Sequence, residues 1–338
     1  MKRVTIYDIS EILNISPSTV SRALNDSPSV KTKTKEKIIE VAKQLNYFHN
    51  KTASRLKTGK NNTVGIIVPY INHSIFSAII QVIEEILAPL GYIILICQTY
   101  EKTVNEIKHI QSLLTNQVEC IFVSVTMETI NYDHFKKVTS AGIPLIFFDR
   151  KADIENVSSV ILNDFKSAYK ATEHLIEQGC KRIAHFKGNQ NLEIYRNRYD
   201  GYLKALKDYK IPVDPDLIIS CKSSIEEGKR AFNELYNANI SLDAIFSPND
   251  HAILGAYQEI KNYNIKVPEE IALVGFSNEI FTKYIEIPIT TVFQNPELMG
   301  TKAAKFFLEQ TNKETTDITH KNEIIEGTLL VRASSKKR

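Results

Sequence analysis

Through the first sixty positions apolar residues recur at helical spacing; beyond them the chain becomes short apolar runs separated by amphipathic stretches. Ile9, Ile12 and Leu13 make one stripe, Val20, Ala23 and Leu24 a second, and Ile38, Val41, Ala42 and Leu45 a third. Spacings of three, four and seven put each set on one helix face. Thr5 is placed to cap the first helix, with Asp8 near its positive end. Asn14-Ile15-Ser16 makes a tight turn, and Ser16 caps a second helix that opens with Pro17, where a missing N–H costs nothing. A third helix is predicted from about Thr34. A short fourth covers 50–58 and stops at Gly59.

From Thr63 the pattern predicts strands at 64–68, 92–97, 120–125, 145–148, 160–162, 183–186, 217–220, 244–246, 271–276 and 290–292. Helices fall between most of them, among them 74–87, 104–114, 164–177, 198–206, 225–236 and 250–263. Strand–helix alternation implies parallel sheets covered by helices on both faces. So many strands in one stretch fit two sheets better than one.

Composition adds a partner. Residues 1–60 carry 12 Lys and Arg against 5 Asp and Glu, a balance of +7, and the other 278 carry 30 against 34. A basic module on a mildly acidic body suggests a polyanion for the first part only, although solvated lysines alone would give the same balance. No run of 18 apolar residues exists to span a membrane. The basic N-terminus leads into no signal-peptide core, so the expected location is the cytoplasm. Cys97, Cys120, Cys180 and Cys221 lie far apart, with no CxxC pair, and read as reduced core thiols. No metal or cofactor is expected.

A helix-turn-helix lays its second helix in the major groove of DNA. Its outward positions here are Pro17, Ser18, Ser21 and Arg22, and Arg22 has the fork to donate two hydrogen bonds to a guanine. Thr5, Tyr7, Ser16, Thr19 and Asn25 are placed for phosphates. By spacing alone, a three-helix packing unit with surface hydroxyls remains the other reading.

The residues go further than spacing. Thr5-Ile6-Tyr7-Asp8-Ile9 followed by Ser16-Pro17-Ser18-Thr19-Val20-Ser21-Arg22-Ala23-Leu24-Asn25 closely resembles the lactose-repressor (LacI/GalR) family. Asn46-Tyr47, with Asn50, Ala53 and Leu56, resembles its hinge segment. Thr63-Val64-Gly65-Ile66-Ile67-Val68-Pro69, Val274-Gly275-Phe276 and Leu330-Val331-Arg332-Ala333-Ser334 carry the likeness along the chain.

The resemblance implies an α/β protein with an all-α helix-turn-helix domain at 1–49 and a hinge helix and linker at 50–60. The core, 61–338, would be two-lobed like periplasmic binding proteins, with two parallel sheets and three crossovers. Its N-lobe is expected at about 61–160 and 293–320, its C-lobe at about 161–292 and 321–334. It also implies a homodimer on a palindromic double-stranded operator, acting as a repressor, with Leu56 as a minor-groove wedge. A sugar or sugar derivative is the expected effector, held between the lobes at strand ends.

Ile75, Phe76, Asp149, Arg198, Asn249 and Ser277 are the candidate contacts. Each has a plainer reading: core packing for Ile75 and Phe76, a loop ion pair with Arg150 for Asp149, and a surface ion pair for Arg198. Asp250, rather than Asn249, is expected to cap the helix that follows. The family usually has aspartate at the position of Ser277. That loss of charge, with Arg196 nearby, predicts tolerance of an acidic ligand such as a uronic acid or sugar phosphate.

A carbohydrate-binding protein without a regulatory role explains the core but leaves the first sixty residues without a purpose. As an exported transport protein it would also need a signal the N-terminus lacks. A sugar-processing enzyme finds no support in HExxH, P-loop, GxSxG or Cys/His spacing.

Overall fold

Thr5 and Ser16 start the first two helices as their side chains suggest. In the computed structural model, which describes residues 4–47, 61–311 and 320–336, the Asp8 carboxylate accepts from Thr5 N at 2.7 Å and Thr5 Oγ1 at 2.6 Å. This is the reciprocal half of a capping box and begins α1 (Ile6–Leu13). Ser16 Oγ accepts from Thr19 N at 3.2 Å and opens α2 (Pro17–Leu24). Helix α3 (Thr32–Gln44) starts two residues before the expected Thr34. Ile9, Val20, Ala23, Val30, Ile38 and Ala42 close a small core between the three. Ile12, expected in that stripe, is 58% exposed; an eight-residue helix buries only a narrow face, and Ile12 lies at its margin. The expected fourth helix, with Asn50, Ala53 and Leu56, lies outside the described residues.

The chain divides into two units, Met1–Asn61 and Asn62–Arg338. The second alternates strand and helix: β1 (Thr63–Val68), α4 (Ser74–Leu87), β2 (Ile93–Gln98), α5 (Thr103–Thr115), β3 (Cys120–Val123), α6 (Asp133–Ser140), β4 (Leu145–Phe148), β5 (Ser158–Leu162) and α7 (Asp164–Glu177). It continues through β6 (Ile183–Lys187), α8 (Glu193–Asp208), β7 (Ile218–Ser220), α9 (Ile225–Asn237), β8 (Ala244–Phe246), α10 (Asp250–Asn262), β9 (Ala272–Phe276), α11 (Phe281–Tyr284) and β10 (Thr290–Phe293). Helix α12 (Pro296–Thr311), β11 (Asn322–Ile325) and β12 (Thr328–Leu330) complete it.

Two six-stranded sheets result, ordered β11-β5-β4-β3-β1-β2 and β12-β10-β9-β8-β6-β7. All pairings are parallel except β10 with β12. The central strands are apolar runs buried on both faces, as parallel sheets require. The chain passes between lobes three times: after β5, after β10, and between β11 and β12. The last passage corrects the expected C-lobe segment 321–334. Asn322–Ile325 pairs with Ser159–Leu162 in the N-lobe sheet, and Ile325 is buried in that lobe's core. A four-residue strand with two apolar side chains carries too little pattern to declare its sheet.

Helices α9 and α10 touch backbone to backbone through glycine. A Cβ on Gly255 would stand 2.0 Å from Ile225 O, and one on Gly228 would stand 1.9 Å from Ala252 O. Because main chain cannot swing aside, Gly255→Ala should force the helices apart. Overpacking of this kind costs about 1–3 kcal/mol, and a urea midpoint equal to that of the parent would refute the close approach.

All four cysteines are free, three of them buried and Cys97 half-buried. Burial pushes the Cys221 thiol up to about 12. Among the described residues no helix is long and apolar enough to cross a membrane.

Candidate functional site

The N-terminal unit presents most of its candidate contacts on one short helix. Ser18 and Arg22 are exposed, and Pro17, Thr19 and Ser21 half-buried. Arg22 has no ion-pair partner among the described residues, so its guanidinium is available to a ligand. Ser16, Ser18 and Thr19 share hydroxyl contacts, with Ser16 Oγ 2.9 Å from both Ser18 Oγ and Thr19 Oγ1. Thr5 commits its hydroxyl hydrogen to Asp8, and the Tyr7 ring is 68% exposed. Asn25 is less free than its position suggests. Its Nδ2 donates to Ser21 O at 2.8 Å, closing the end of α2.

In the second unit, Ile75, Phe76, Asp149, Arg198, Asn249 and Ser277 all border one cavity of about 770 Å³ between the lobes. Strand ends supply three of them: Asp149 follows β4, Asn249 lies beyond β8, and Ser277 follows β9, while Arg198 stands in α8. Ile75 and Phe76 stand in the first turn of α4, 6% and 1% exposed, and form an apolar wall. The backbone is strained here, with φ of 60° at Asp149, 114° at Ser277 and 56° at Asn278. Non-glycine residues hold such angles only where the surroundings impose them, often at ligand sites.

Two of the candidates behave differently from expectation. Asn249, not Asp250, caps α10: its Oδ1 accepts from Ala252 N at 2.8 Å. Asp250 is turned inward, accepting from Thr291 Oγ1 at 2.8 Å and Glu279 N at 2.8 Å, and burial pushes its carboxyl up to about 7. The ion pair of Arg198 is internal rather than at the surface. Arg198 Nε lies 2.7 Å from Asp164 Oδ1, each side chain 3% exposed, and Nη1 donates to Pro248 O at 2.6 Å. The guanidinium packs 3.7 Å over the Phe276 ring. Burial pushes Asp164 up to about 6, against the pull of Arg198.

Arg150, named from sequence only as a partner for Asp149, is central to the cleft. Its Nη1 donates to Glu101 at 2.8 and 3.1 Å, and its Nε lies 3.6 Å from Asp149 Oδ2. Burial raises the Asp149 carboxyl above its usual range, while Arg150 and Arg198 pull it down. Both cleft guanidiniums are thus already neutralised. Arg196 is exposed and spends its Nη1 on Gln190 O and Asn191 O, at 2.8 and 3.0 Å. The expectation of an acidic ligand loses the free positive charge it relied on.

Among the described residues, Arg150 Nε and Asn249 Nδ2 are buried N–H donors on the cavity wall without a hydrogen-bond partner. Such groups are costly when left unmade. Aromatic rings line the same cavity: His73 stacks on His251 at 4.9 Å across the cleft and on Tyr70 at 5.2 Å. Burial, with His251 and Arg150 nearby, lowers His73 to about 4, so it is uncharged at neutral pH. Sequence reasoning missed these rings because nothing local joins position 73 to 251. No group of three or more His, Cys, Asp or Glu is arranged for a metal among the described residues.

A helix-turn-helix unit and a two-lobed core with a polar, aromatic-lined cleft define a ligand-responsive DNA-binding protein. The comparisons agree with that class. Residues 5–50 match the family described as bacterial regulatory proteins, lacI family, and residues 61–326 match periplasmic binding proteins and sugar binding domain of LacI family. The chain belongs to the LacI family of transcriptional regulators.

It is 29% identical over 299 residues to the HTH-type transcriptional regulator DegA of Bacillus subtilis, covering 88% of each chain. It is 26% identical to the ribose operon repressor of Halalkalibacterium halodurans, covering 98% of this chain and 97% of the relative. Among solved structures, a lac repressor dimer bound to operator and the anti-inducer ONPF superposes with a TM-score of 0.85 at 23% identity, covering 99% of both. A complex of the transcriptional regulator CelR with cellobiose gives 0.74 at 25% identity, covering 98% of this chain and all of that one.

Proposed function

We propose that this regulator is a homodimeric repressor whose grip on a palindromic operator is set by a neutral carbohydrate bound between its lobes. The observation that carries the ligand class is the state of the cleft's charges. Arg150 and Arg198 are each paired with a carboxylate, whereas Asn249 Nδ2 has no hydrogen-bond partner and Arg150 Nε has only the 3.6 Å ion-pair contact with Asp149. A polyol supplies acceptor oxygens to such donors, and its apolar ring face suits the His73, Phe76 and Tyr70 surfaces. Ser277 offers one more hydroxyl. The cellobiose held by CelR and the ribose operon named for a relative support the same class.

On DNA, α2 enters the major groove. Pro17, Ser18, Ser21 and Arg22 meet base edges, and Thr5, Tyr7, Ser16, Thr19 and Asn25 hold phosphates, Asn25 after giving up its bond to Ser21. Asn50, Ala53 and Leu56 follow as the hinge, with Leu56 the wedge. A two-fold protein calls for a two-fold site. The exposed β2 edge supports self-association: Ile93 and Ile96 are 49% and 51% exposed, with Leu90 at 54%.

The test is a selection of bound sequences from random DNA with the full chain, repeated with a panel of neutral mono- and disaccharides. An inverted-repeat consensus whose affinity one sugar shifts at least tenfold supports the reading. A non-repeating consensus, or indifference to every sugar while acidic sugars act, overturns it.

A further inference from the structure

Among the described residues, the cleft carboxylate of Glu279 is ion-paired to neither an arginine nor a lysine and instead reaches across to the other lobe. Glu279 follows β9 in the C-lobe, and its side chain crosses to the N-lobe. There Oε2 accepts from Ser74 Oγ at 2.5 Å, and Ser74 N lies 3.2 and 3.3 Å from the two carboxylate oxygens. Ser74 is the first residue of the fourteen-residue helix α4. The Glu279 carboxylate therefore sits on that helix's N-terminus, where unpaired N–H groups and the helix dipole favour negative charge.

Its approach is built in advance. Glu279 N donates to Asp250 Oδ2 at 2.8 Å, Asp250 is held by Thr291, and Thr282 Oγ1 donates to Glu279 O at 2.6 Å. The positive φ values of Ser277 and Asn278 turn the chain toward the cleft just before it. Glu279 itself is 5% exposed, and the His73–His251 stack, one position along from Ser74 and from Asp250, is a further contact between the lobes.

We propose that Glu279 is an intramolecular anion that clasps the two lobes and, by occupying the N-terminus of α4, keeps anionic groups out of that end of the ligand cleft. It is a specificity-determining residue, and the inference rests on reading the cleft as the ligand site. An anionic ligand would have to displace a tethered carboxylate from the position best suited to it, against an effective concentration no free ligand matches. A neutral sugar competes for nothing there and leaves the clasp shut.

The test uses inorganic phosphate as probe, with the full chain and isothermal calorimetry. Glu279→Ser shortens the side chain and vacates the helix end. It should bind phosphate at least tenfold more tightly than the parent protein. Adding Ser74→Pro removes both Ser74 donors at a helix position that tolerates proline, with the preceding His73 already extended. The double variant should lose the gained affinity.

Hydrogen exchange of the segment opening α4 reads the clasp separately. Glu279→Gln, nearly the same shape, should exchange there at least threefold faster. Phosphate binding equal in parent and Glu279→Ser, or a gain that survives Ser74→Pro, overturns the exclusion. Unchanged exchange in Glu279→Gln overturns the clasp. The parent's response to neutral sugars is scored independently: if none binds while these phosphate results hold, the carbohydrate reading falls and the role of Glu279 stands.

Discussion

Arg198→Ala should destabilise the core by about 3–5 kcal/mol, far more than loss of a surface ion pair, which is worth at most about 1 kcal/mol. The reason is what remains behind. Asp164 is 3% exposed and its carboxylate meets Arg198 Nε at 2.7 Å, so truncation leaves a charge in the interior with its main partner gone. The pH dependence carries a sign. Burial already raises Asp164 to about 6, so the folded protein binds this proton more readily than the unfolded chain, and stability falls as pH rises through that window. Removing the guanidinium raises the folded value further and extends the loss to higher pH. The difference between variant and parent should thus be largest near pH 8 and shrink toward pH 5, where the acid is protonated in both. Denaturant midpoints across that range measure it, and a pH-independent difference would show that Arg198 matters through its packing on Phe276 instead. Arg198→Ala with Asp164→Leu, which removes both charges, should recover much of the stability.

That pair marks where sequence reading stops. Local pattern found what local physics decides. The helix limits at 74–87 and 164–177 and the strands at 145–148 and 244–246 coincide with the structure, because the apolar pattern and length agree at those places. Helix α12 was not among the segments named from sequence, although Pro296, Met299, Gly300, Ala303, Ala304 and Phe307 are buried at helical spacing. What failed was pairing at long range. Nothing near Arg198 names Asp164 as its partner, thirty-four positions earlier, and nothing near Ser74 names Glu279. The exchange of roles between Asn249 and Asp250 has the same origin: either side chain can cap α10, and Thr291, on a strand forty-one positions away, draws Asp250 inward. Arg196 and Arg198, two positions apart on α8, face opposite environments because the helix turns one to solvent and the other to the core. That Asp149, Asn249 and Ser277 would border one cavity followed from their places at strand ends; the charge pairing around them did not.

The other large effect concerns DNA. If the basic first sixty residues hold the phosphate backbone, specific affinity should fall by about 10³–10⁵ between 50 and 200 mM salt, as counterions are released on binding by a protein making several phosphate contacts. Twelve Lys and Arg per chain, doubled in a dimer, can supply those contacts. Arg22 has a different task. It stands exposed on α2 with no ion-pair partner among the described residues, so its fork is not spent inside the protein. Arg22→Ala should cost about 1–3 kcal/mol on the selected operator and relax base choice at one position in each half-site. Non-specific binding should weaken far less, by the share of one charge in the salt slope. Substituting a lysine of the same unit should do the reverse, lowering the slope by about one and leaving base preference intact. Fluorescence anisotropy against salt, run on the operator and on random duplex, separates the two. A flat salt dependence would remove the phosphate reading. An Arg22→Ala protein with the parent's base preference would move sequence reading off α2.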